Sequence, residues 1–474
     1  MKNKKLFLRN LKVYGFENLE NIILASLITQ DPILLIGAAG TGKTFLLNSI
    51  SEALGLEHRH YNASLISFDD LIGFPFPTED KKEIHFLPTP ATVWDAESVL
   101  IDELSRCKPE TQNKFFSIVH ERKIQGIRLD KLKYRWAAMN PFAFSGEEAE
   151  ESYSGSGPLD PALADRFAFV IVVPDWKDIS KEDQDLIIHP EGEGVVSNDS
   201  GALKEFVARG RELFLDRISL PDHGLVMYCR LVTDFLNRSG VRISPRRARL
   251  ICRNIISASV VAELSGEIID ENSKTSIYKA ALRWSIPHRA FREQFPEHTL
   301  DSAHAEAKRL VMESNPEERW LAEFHLEYSL TQKLRLILNT SVRRDLRSLA
   351  LIQLLNNETP TRKTAFVFAS YPIINQHNSL TEEAFNELTR SANDILSFEG
   401  KMEWRENFNH TQSVHPTWSE CQKILNEISN NDNRRDRAKH FFLYLIGKNH
   451  TIAEPRMAEL ELNDLFTAVK YLNY

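Results

Sequence analysis

The sequence predicts an α/β protein with a parallel sheet, followed by regions that are mostly helical. Short, wholly apolar runs alternate with helical segments up to Pro174, which is typical of buried parallel strands joined by helices. Beyond Pro174 the strand patterns become rare and amphipathic helical patterns replace them. We therefore predict a first domain over residues 1–174, a helical lid over 175–290 and a mostly helical third domain over 291–474.

The predicted elements of the first domain follow one another in a regular order. Ile33–Ile36 is a short apolar run that ends at Gly37, as expected of a buried strand. The pattern then predicts a helix near 43–54, strands near 57–62 and 98–101, a helix near 109–120, and strands at 136–139 and 167–173.

The later regions are predicted from helical periodicity. Segments 201–217, 221–238 and 245–265 are amphipathic, and Ser244-Pro245 is a favourable helix start with serine at the N-cap. Residues 298–474 are predicted to be mostly helical. The run Phe366-Val367-Phe368 predicts one short strand within them.

The composition excludes several classes of protein. The 474 residues include 58 Lys and Arg against 66 Asp and Glu, and this net charge of −8 argues against a nucleic-acid-binding protein. No stretch approaches about 18 uncharged apolar residues, so we predict no membrane span. The apolar run after the basic N-terminus is too short for a signal peptide. The four cysteines have no C-x-x-C spacing, and we interpret them as reduced structural residues of a cytoplasmic protein.

The most specific motif is Gly37-Ala38-Ala39-Gly40-Thr41-Gly42-Lys43-Thr44, which matches G-x-x-x-x-G-K-[ST] in full. A strand precedes it and a helix follows it, so backbone N–H groups and a helix N-terminus can meet around the phosphates of ATP. We expect Lys43 to neutralise the β- and γ-phosphates and the Thr44 hydroxyl to bind Mg²⁺. The alternative is a strand–turn–helix with a chance lysine.

Two later strands also end in polar side chains. The run 98–101 leads into Asp102 and Glu103, and we expect Asp102 to hold Mg²⁺ through its water shell while Glu103 polarises the attacking water. The run 137–139 leads into Asn140, which could hydrogen-bond the γ-phosphate and that water. The alternative for Asn140 is an ordinary turn residue before proline.

Two arginines complete the candidate catalytic set. Arg166 follows a short helix capped by Asp160, a position from which it could reach a neighbouring subunit's γ-phosphate. Arg246 lies in the first turn of the helix that begins at Pro245, and we prefer it to Arg247 as an arginine that closes over the phosphates. The alternatives are a surface ion pair with Asp165 for Arg166 and a solvated basic helix face for Arg246.

This ordered set of motifs resembles an AAA+ ATPase, and further details resemble the MoxR family over roughly residues 20–290. The resemblance rests on the segment 68–73, on Asp102-Glu103-Leu104-Ser105-Arg106 with the following 109–112, on 120–132 and on 283–287. Ser105 departs from the asparagine usual in that family, and Ala138 departs from a usual threonine.

The resemblance implies a homo-oligomeric ring, a hexamer, with ATP sites between subunits. Lys43, Thr44, Asp102, Glu103 and Asn140 would come from one protomer and Arg166 from the next. It also implies a chaperone-like remodeler of a protein client, with a von Willebrand factor A domain protein as one candidate partner. The alternative is a nucleotide-gated scaffold or switch in a defence or signalling complex.

A segment between the second and third predicted strands is a candidate client contact. Residues 73–77 form a predicted loop that holds Phe74 and Phe76 among prolines. Exposed aromatic residues commonly mark contact sites. The alternative is that both rings pack onto the core and hold the insert in place.

Overall fold

A computed structural model of the chain describes most of its 474 residues. The described residues are 6–77, 84–107, 112, 115–142, 155–189, 199–268, 270–292, 294–312, 315–377, 380–399, 416–429 and 432–472. They form two compact units, Met1–Val311 and Met312–Tyr474. The finer division at 174 and 290 stays a prediction.

The first unit is built on a five-stranded parallel sheet with the strand order β2-β5-β8-β1-β9. β1 lies between β8 and β9, with Leu34 opposite Ala137 on one side and Val170 on the other. All four residues of β1 are buried, which explains its continuous apolar run. The strands are β1 (Ile33–Ile36), β2 (His58–Asn62), β5 (Ser98–Asp102), β8 (Tyr134–Met139) and β9 (Phe169–Val172).

Helices flank this sheet and join its strands. The predicted helix after the glycine-rich motif is confirmed, because it begins at Lys43 and ends at Leu54 with Gly55 in a left-handed C-cap. The predicted helix near 109–120 lies partly outside the described residues, and its end is a π-helical turn at Ser117–Glu121. The α-helices here are α1 (Phe7–Asn10), α2 (Glu20–Thr29), α3 (Lys43–Leu54), α4 (Phe68–Ile72) and α5 (Pro161–Ala164).

Two small antiparallel strand pairs are separate from this sheet. One pairs β3 (Phe74–Pro77) with β4 (Ile84–Leu87), and the other pairs β6 (Lys123–Ile124) with β7 (Ile127–Arg128). The prediction of a loop at 73–77 was therefore wrong. Proline is tolerated in β3 because the hairpin has only two strands, so one side of each strand needs no ladder bonds.

The described remainder of the first unit is mostly helical, as predicted. The three predicted segments near 201–217, 221–238 and 245–265 are confirmed as α7, α8 and α9, and Ser244 caps α9 by accepting a hydrogen bond from the Arg247 N–H. The helices are α6 (Lys181–Ile188), α7 (Ala202–Ser219), α8 (His223–Arg238), α9 (Pro245–Leu264), α10 (Glu271–Ser285) and α11 (Glu297–Met312).

The described part of the second unit consists of helices around its own apolar core. The predicted strand at 366–368 was wrong, because these residues lie inside α15. Phe366 and Val367 are fully buried, and a buried helix shows the same short apolar run as a buried strand. The helices are α12 (Pro316–Leu326), α13 (Leu330–Leu338), α14 (Arg344–Asn357), α15 (Pro360–His377), α16 (Glu382–Leu396), α17 (Pro416–Glu427), α18 (Asn433–Gly447) and α19 (Pro455–Leu472).

Candidate functional site

The glycine-rich loop lies between β1 and α3 at the carboxyl edge of the sheet. Gly40 and Gly42 adopt φ angles of +80° and +78°, which a residue with a Cβ adopts only with strain. Lys43 begins α3 and is buried, with its Nζ donating to the carbonyl oxygens of Gly37 at 2.8 Å and Ala38 at 2.7 Å. The lysine side chain therefore folds back over its own loop.

The hydroxyl of Thr44 and the carboxylate of Asp102 meet beside this loop. Thr44 Oγ1 donates to Asp102 Oδ2 at 2.8 Å, which joins the start of α3 to the end of β5. Burial alone would raise the pKa of Asp102, but hydrogen bonds from His60, Thr44 and the Glu103 N–H outweigh it and lower that pKa. An ionised carboxylate next to a hydroxyl is an oxygen donor set that suits Mg²⁺.

Asn140 connects the lysine to the second carboxylate. It follows β8, is only 3% exposed, and accepts a hydrogen bond from Lys43 Nζ on its Oδ1 at 3.3 Å. Its Nδ2 donates to Glu103 Oε2 at 3.3 Å. Burial lowers the pKa of Lys43, and the negative charges of Asp102 and Glu103 oppose that shift. Three strand ends thus contribute to one hydrogen-bonded network.

Glu103 has an unusual backbone conformation for its residue type. Its φ angle is +56°, in the left-handed region, and this turns the chain away from β5 into a 3₁₀ turn at Leu104–Arg106. Its carboxylate also pairs with Arg106 Nε at 3.2 Å. Strained backbone of this kind is concentrated at functional sites.

The two candidate arginines lie together, around Asp165. The Arg166 guanidinium stacks on the Phe116 ring at 4.3 Å and donates to the carbonyl oxygen of Ala162. Arg246 Nη1 is 3.5 Å from Asp165 Oδ2. Burial and the nearby charge of Arg246 lower the pKa of Arg166. Within the described residues, neither arginine forms a hydrogen bond or ion pair with the glycine-rich loop.

Arg247 also pairs with Asp165, but it is far more buried than its neighbour Arg246. Its side chain is 1% exposed, whereas that of Arg246 is 40% exposed. It donates to the carbonyl oxygens of Phe167 at 2.9 Å and Ser285 at 2.7 Å, and it pairs with Asp165. Burial lowers the pKa of Arg247 to about 10. This residue fastens α9 to the segment before β9.

A cavity of about 530 Å³ opens beside the glycine-rich loop, and the sequence analysis did not predict it. Tyr14 and Phe16 line it from before β1, and Trp176 and Ile187 line it from after β9. The pairing of β1 with β9 brings these distant segments together. The available signal was the aromatic residues immediately outside two predicted strands, but only the strand order reveals that they meet.

A profile of the AAA domain (dynein-related subfamily) matches residues 32–167, which contain the loop, both carboxylates, Asn140 and Arg166. This match covers residues 32–167, so this part of the chain is similar to an AAA domain.

The relatives match part of this chain at low identity. An uncharacterized protein of Staphylococcus aureus is 29% identical over 156 residues, which are 30% of this chain and 54% of that protein. An uncharacterized protein of Staphylococcus haemolyticus is 26% identical over 201 residues, 38% of this chain and 71% of that protein. Protein MoxR of Paracoccus denitrificans is 25% identical over 164 residues, 34% of this chain and 46% of that protein.

The chain thus spans about half the length of several of the curated relatives that it matches. A crystal structure of a protein assigned as an ATPase from Cytophaga hutchinsonii is 18% identical, with a TM-score of 0.44 over 63% of this chain and 92% of that one. The predicted α/β core followed by helices, and the resemblance to MoxR-type AAA+ proteins, are confirmed. None of the helices in the described ranges has the length and apolar character that a membrane span requires.

Proposed function

We propose that this chain hydrolyses ATP with Mg²⁺ at the carboxyl edge of its AAA domain sheet. The observation that carries the proposal is the hydrogen-bonded network in which Thr44 contacts Asp102 and Asn140 bridges Lys43 and Glu103. Lysine, hydroxyl, two carboxylates and an amide are the groups that phosphoryl transfer to water requires. Their contact at three strand ends supports the proposal more than any one motif does.

Each side chain has a separate role in this reaction. Residues 37–42 present backbone N–H groups to the phosphates, and Lys43 exchanges its carbonyl partners for β- and γ-phosphate oxygens. Thr44 and Asp102 would hold Mg²⁺, which would supply positive charge to offset the charge that develops on the phosphates. Glu103 accepts a proton from the attacking water, and Asn140 orients that water and the γ-phosphate.

In this proposal a neighbouring copy of the chain completes the site. The proposed assembly is therefore a ring of six copies. Arg166 and Arg246 surround Asp165, and in the described residues neither contacts the glycine-rich loop of its own chain. The Nε of Arg166 is also buried without a hydrogen-bond partner among the described residues. The Arg166 residue as a whole is only half-buried, and we propose that the accessible part of its guanidinium group contacts the γ-phosphate of an adjacent subunit.

The proposed use of hydrolysis is the remodelling of a protein client, with a von Willebrand factor A domain protein as one candidate. Phe74 and Phe76 support a contact surface, because they are 54% and 58% exposed on the β3–β4 hairpin. Together with Leu87, which is 56% exposed, they form an apolar patch rather than an anchor to the core. The second candidate function is a nucleotide-gated scaffold, in which turnover resets assembly.

Two variants test the proposed reaction. Lys43→Ala should abolish ATP binding because the phosphate charge loses its partner, whereas Glu103→Gln should bind ATP and lose roughly 10²–10⁴-fold in hydrolysis because only the proton acceptor is removed. Filter binding and phosphate release separate the two results. Hydrolysis by Glu103→Gln at the wild-type rate would show that Glu103 is not the base. Hydrolysis that rises with added client would favour a remodeler over a scaffold.

A further inference from the structure

Two histidines of β2 lie on the same face of the sheet as Asp102. β2 is an edge strand that pairs with β5 in parallel, with His60 opposite Leu100 and Asn62 opposite Asp102. Because side chains alternate between the two faces of a strand, His58 and His60 share the face of Asp102. Neither histidine belongs to a sequence motif of the candidate site. Strand pairing alone brings them beside it.

His60 contacts the carboxylate that the proposed reaction assigns to Mg²⁺. Its Nε2 lies 3.3 Å from Asp102 Oδ2, within hydrogen-bond distance. An ionised carboxylate can only accept hydrogen bonds, so the imidazole nitrogen is the donor of this pair. The side chain of His60 is 38% exposed and that of Asp102 is 17% exposed. The pair therefore lies where the sheet edge is open to solvent, as a site that admits a hydrated ion requires.

The Asp102 carboxylate is held at both of its oxygens. Oδ2 accepts from Thr44 Oγ1 at 2.8 Å as well as from His60, and Oδ1 accepts from the Glu103 N–H at 2.8 Å. The Thr44 hydroxyl is itself a proposed Mg²⁺ ligand, and the Glu103 donor belongs to the main chain. His60 is thus the side chain of this set that could act on the carboxylate alone. Hydrogen bonds to a ligating carboxylate fix its orientation and contribute to metal affinity.

His58 has a different role, although it lies only two residues earlier on the same face. Its Nδ1 is 2.8 Å from Ser98 Oγ and its Nε2 is 3.1 Å from Asn48 Oδ1, so both ring nitrogens are occupied away from Asp102. Burial is the main cause that lowers the pKa of His58 to about 4, which keeps its ring neutral at pH 7. His58 therefore fastens β2 to β5 and α3.

We infer that His60 is a positioning residue for the metal site, whose Nε2–H holds the Asp102 carboxylate in the orientation that receives Mg²⁺. This inference rests on the proposed function, because it assigns a further residue to the same site. His60 acts through Asp102 and is not itself a ligand, since Mg²⁺ prefers oxygen donors to imidazole. Loss of a hydrogen bond of this kind typically costs roughly 10–100-fold in metal affinity.

The test measures how strongly Mg²⁺ tightens nucleotide binding, not the rate of hydrolysis. The dissociation constant of a fluorescent ATP analogue that resists hydrolysis is measured with excess EDTA and again with saturating Mg²⁺. His60→Ala should bind the analogue in EDTA as the wild-type chain does, and it should lose about 10-fold of the tightening by Mg²⁺. His60→Gln should restore most of that tightening, because its amide nitrogen can donate in place of the imidazole.

His58→Ala is the matched control from the same face of the same strand. It should lower the melting temperature, because Ser98 and Asn48 lose their shared partner, and it should keep the wild-type effect of Mg²⁺. An unchanged effect of Mg²⁺ in His60→Ala, an equal loss in His58→Ala, or no recovery in His60→Gln would each overturn the inference and leave the proposed function standing. A wild-type chain whose nucleotide binding does not respond to Mg²⁺ would overturn the proposed function, and the inference with it.

Discussion

Arg246 and Arg247 are adjacent in sequence, but their side chains lie in different environments. The first residue of the pair is exposed near Arg166, and the second is buried among main-chain carbonyl oxygens. Sequence analysis preferred Arg246 for a role at the phosphates, and that role stays a prediction. Only the fold shows why Arg247 cannot contact the phosphates. Its guanidinium group donates hydrogen bonds to carbonyl oxygens of residues 164–168 and 285, which lie far from it in the sequence.

Replacement of the two arginines by methionine should separate stability from activity. Arg247→Met leaves several buried carbonyl oxygens without their partner and removes one of the partners of Asp165, so the free energy of unfolding should fall by about 3 kcal/mol or more. Arg246→Met is the matched control and should change the free energy of unfolding by less than about 1 kcal/mol, because its ion pair is exposed. Urea denaturation measures both. Equal losses would contradict the distinction.

The same comparison in ATPase assays tests the role of Arg246. We expect Arg246→Met to lower the rate of hydrolysis while the protein stays folded, because a cation near the phosphates of a neighbouring site is lost. Arg246→Lys should recover part of that rate, since it keeps the charge. A wild-type rate in Arg246→Met would mean that the exposed arginine is only part of a solvated helix face.

At the scale of elements, the sequence predicted the helices and strands that have a clear local residue pattern. It missed the hairpin, which depends on the pairing of two strands. The strands around β1 and the helix at 43–54 follow from apolar runs and a glycine-rich turn. The β3–β4 hairpin was missed because prolines usually exclude strands. The strand predicted at 366–368 was wrong because a helix buried on several sides has no apolar periodicity to detect.

The β3–β4 hairpin is where client contact is tested. Phe74→Ala with Phe76→Ala should leave the melting temperature, ATP binding and basal hydrolysis unchanged, because both rings are more than half exposed. Stimulation by a client should be lost with them. Phe86→Ala provides a control, because this ring lies 6.2 Å from Trp94 and packs on the core, so its loss should lower the melting temperature. A stable double variant that still responds fully to client would contradict the contact.

The cavity beside the loop is the other element that only strand pairing reveals, and it offers a place for the nucleotide base. Trp176→Ala should raise the KM for ATP by about 10-fold, because stacking of a base on an aromatic side chain is worth roughly 1–3 kcal/mol. The kcat should change little, because Trp176 is remote from the carboxylates in the sequence and in its hydrogen bonds. Trp176→Phe should restore the KM. A fall in kcat with an unchanged KM would mean that the nucleotide base of ATP does not bind in this cavity.

At the scale of the whole molecule, residues of two adjacent subunits form each active site in the proposed ring. Arg166→Ala protomers should bind ATP normally and lose roughly 10³-fold or more in hydrolysis. Mixing them with Lys43→Ala protomers should restore part of the activity, because some interfaces then join an intact loop to an intact arginine. Rings that assemble from both variants without any recovery would contradict a shared site.

The assembly itself can be measured without any variant. ATP bound between two copies would add contacts to the interface, so we expect the mass from light scattering to increase when ATP and Mg²⁺ are present. Glu103→Gln should hold the larger species for longer, because it binds ATP but hydrolyses it slowly. A monomer both with and without ATP and Mg²⁺ would contradict the proposal that Arg166 acts on ATP bound to a neighbouring subunit.

The contact of Lys43 with the carbonyl oxygens of its own loop has a consequence for repeated turnover. An ammonium group that lost every partner when product departs would have to be rehydrated, and the loop around it could collapse. In the proposed cycle, the carbonyl oxygens of the same turn are within reach of Lys43 when the phosphates depart, so the lysine need not lose every hydrogen-bond partner. Nucleotide entry becomes an exchange of partners rather than a folding event. A protein that hydrolyses ATP repeatedly would then bind the next ATP without refolding its phosphate-binding loop.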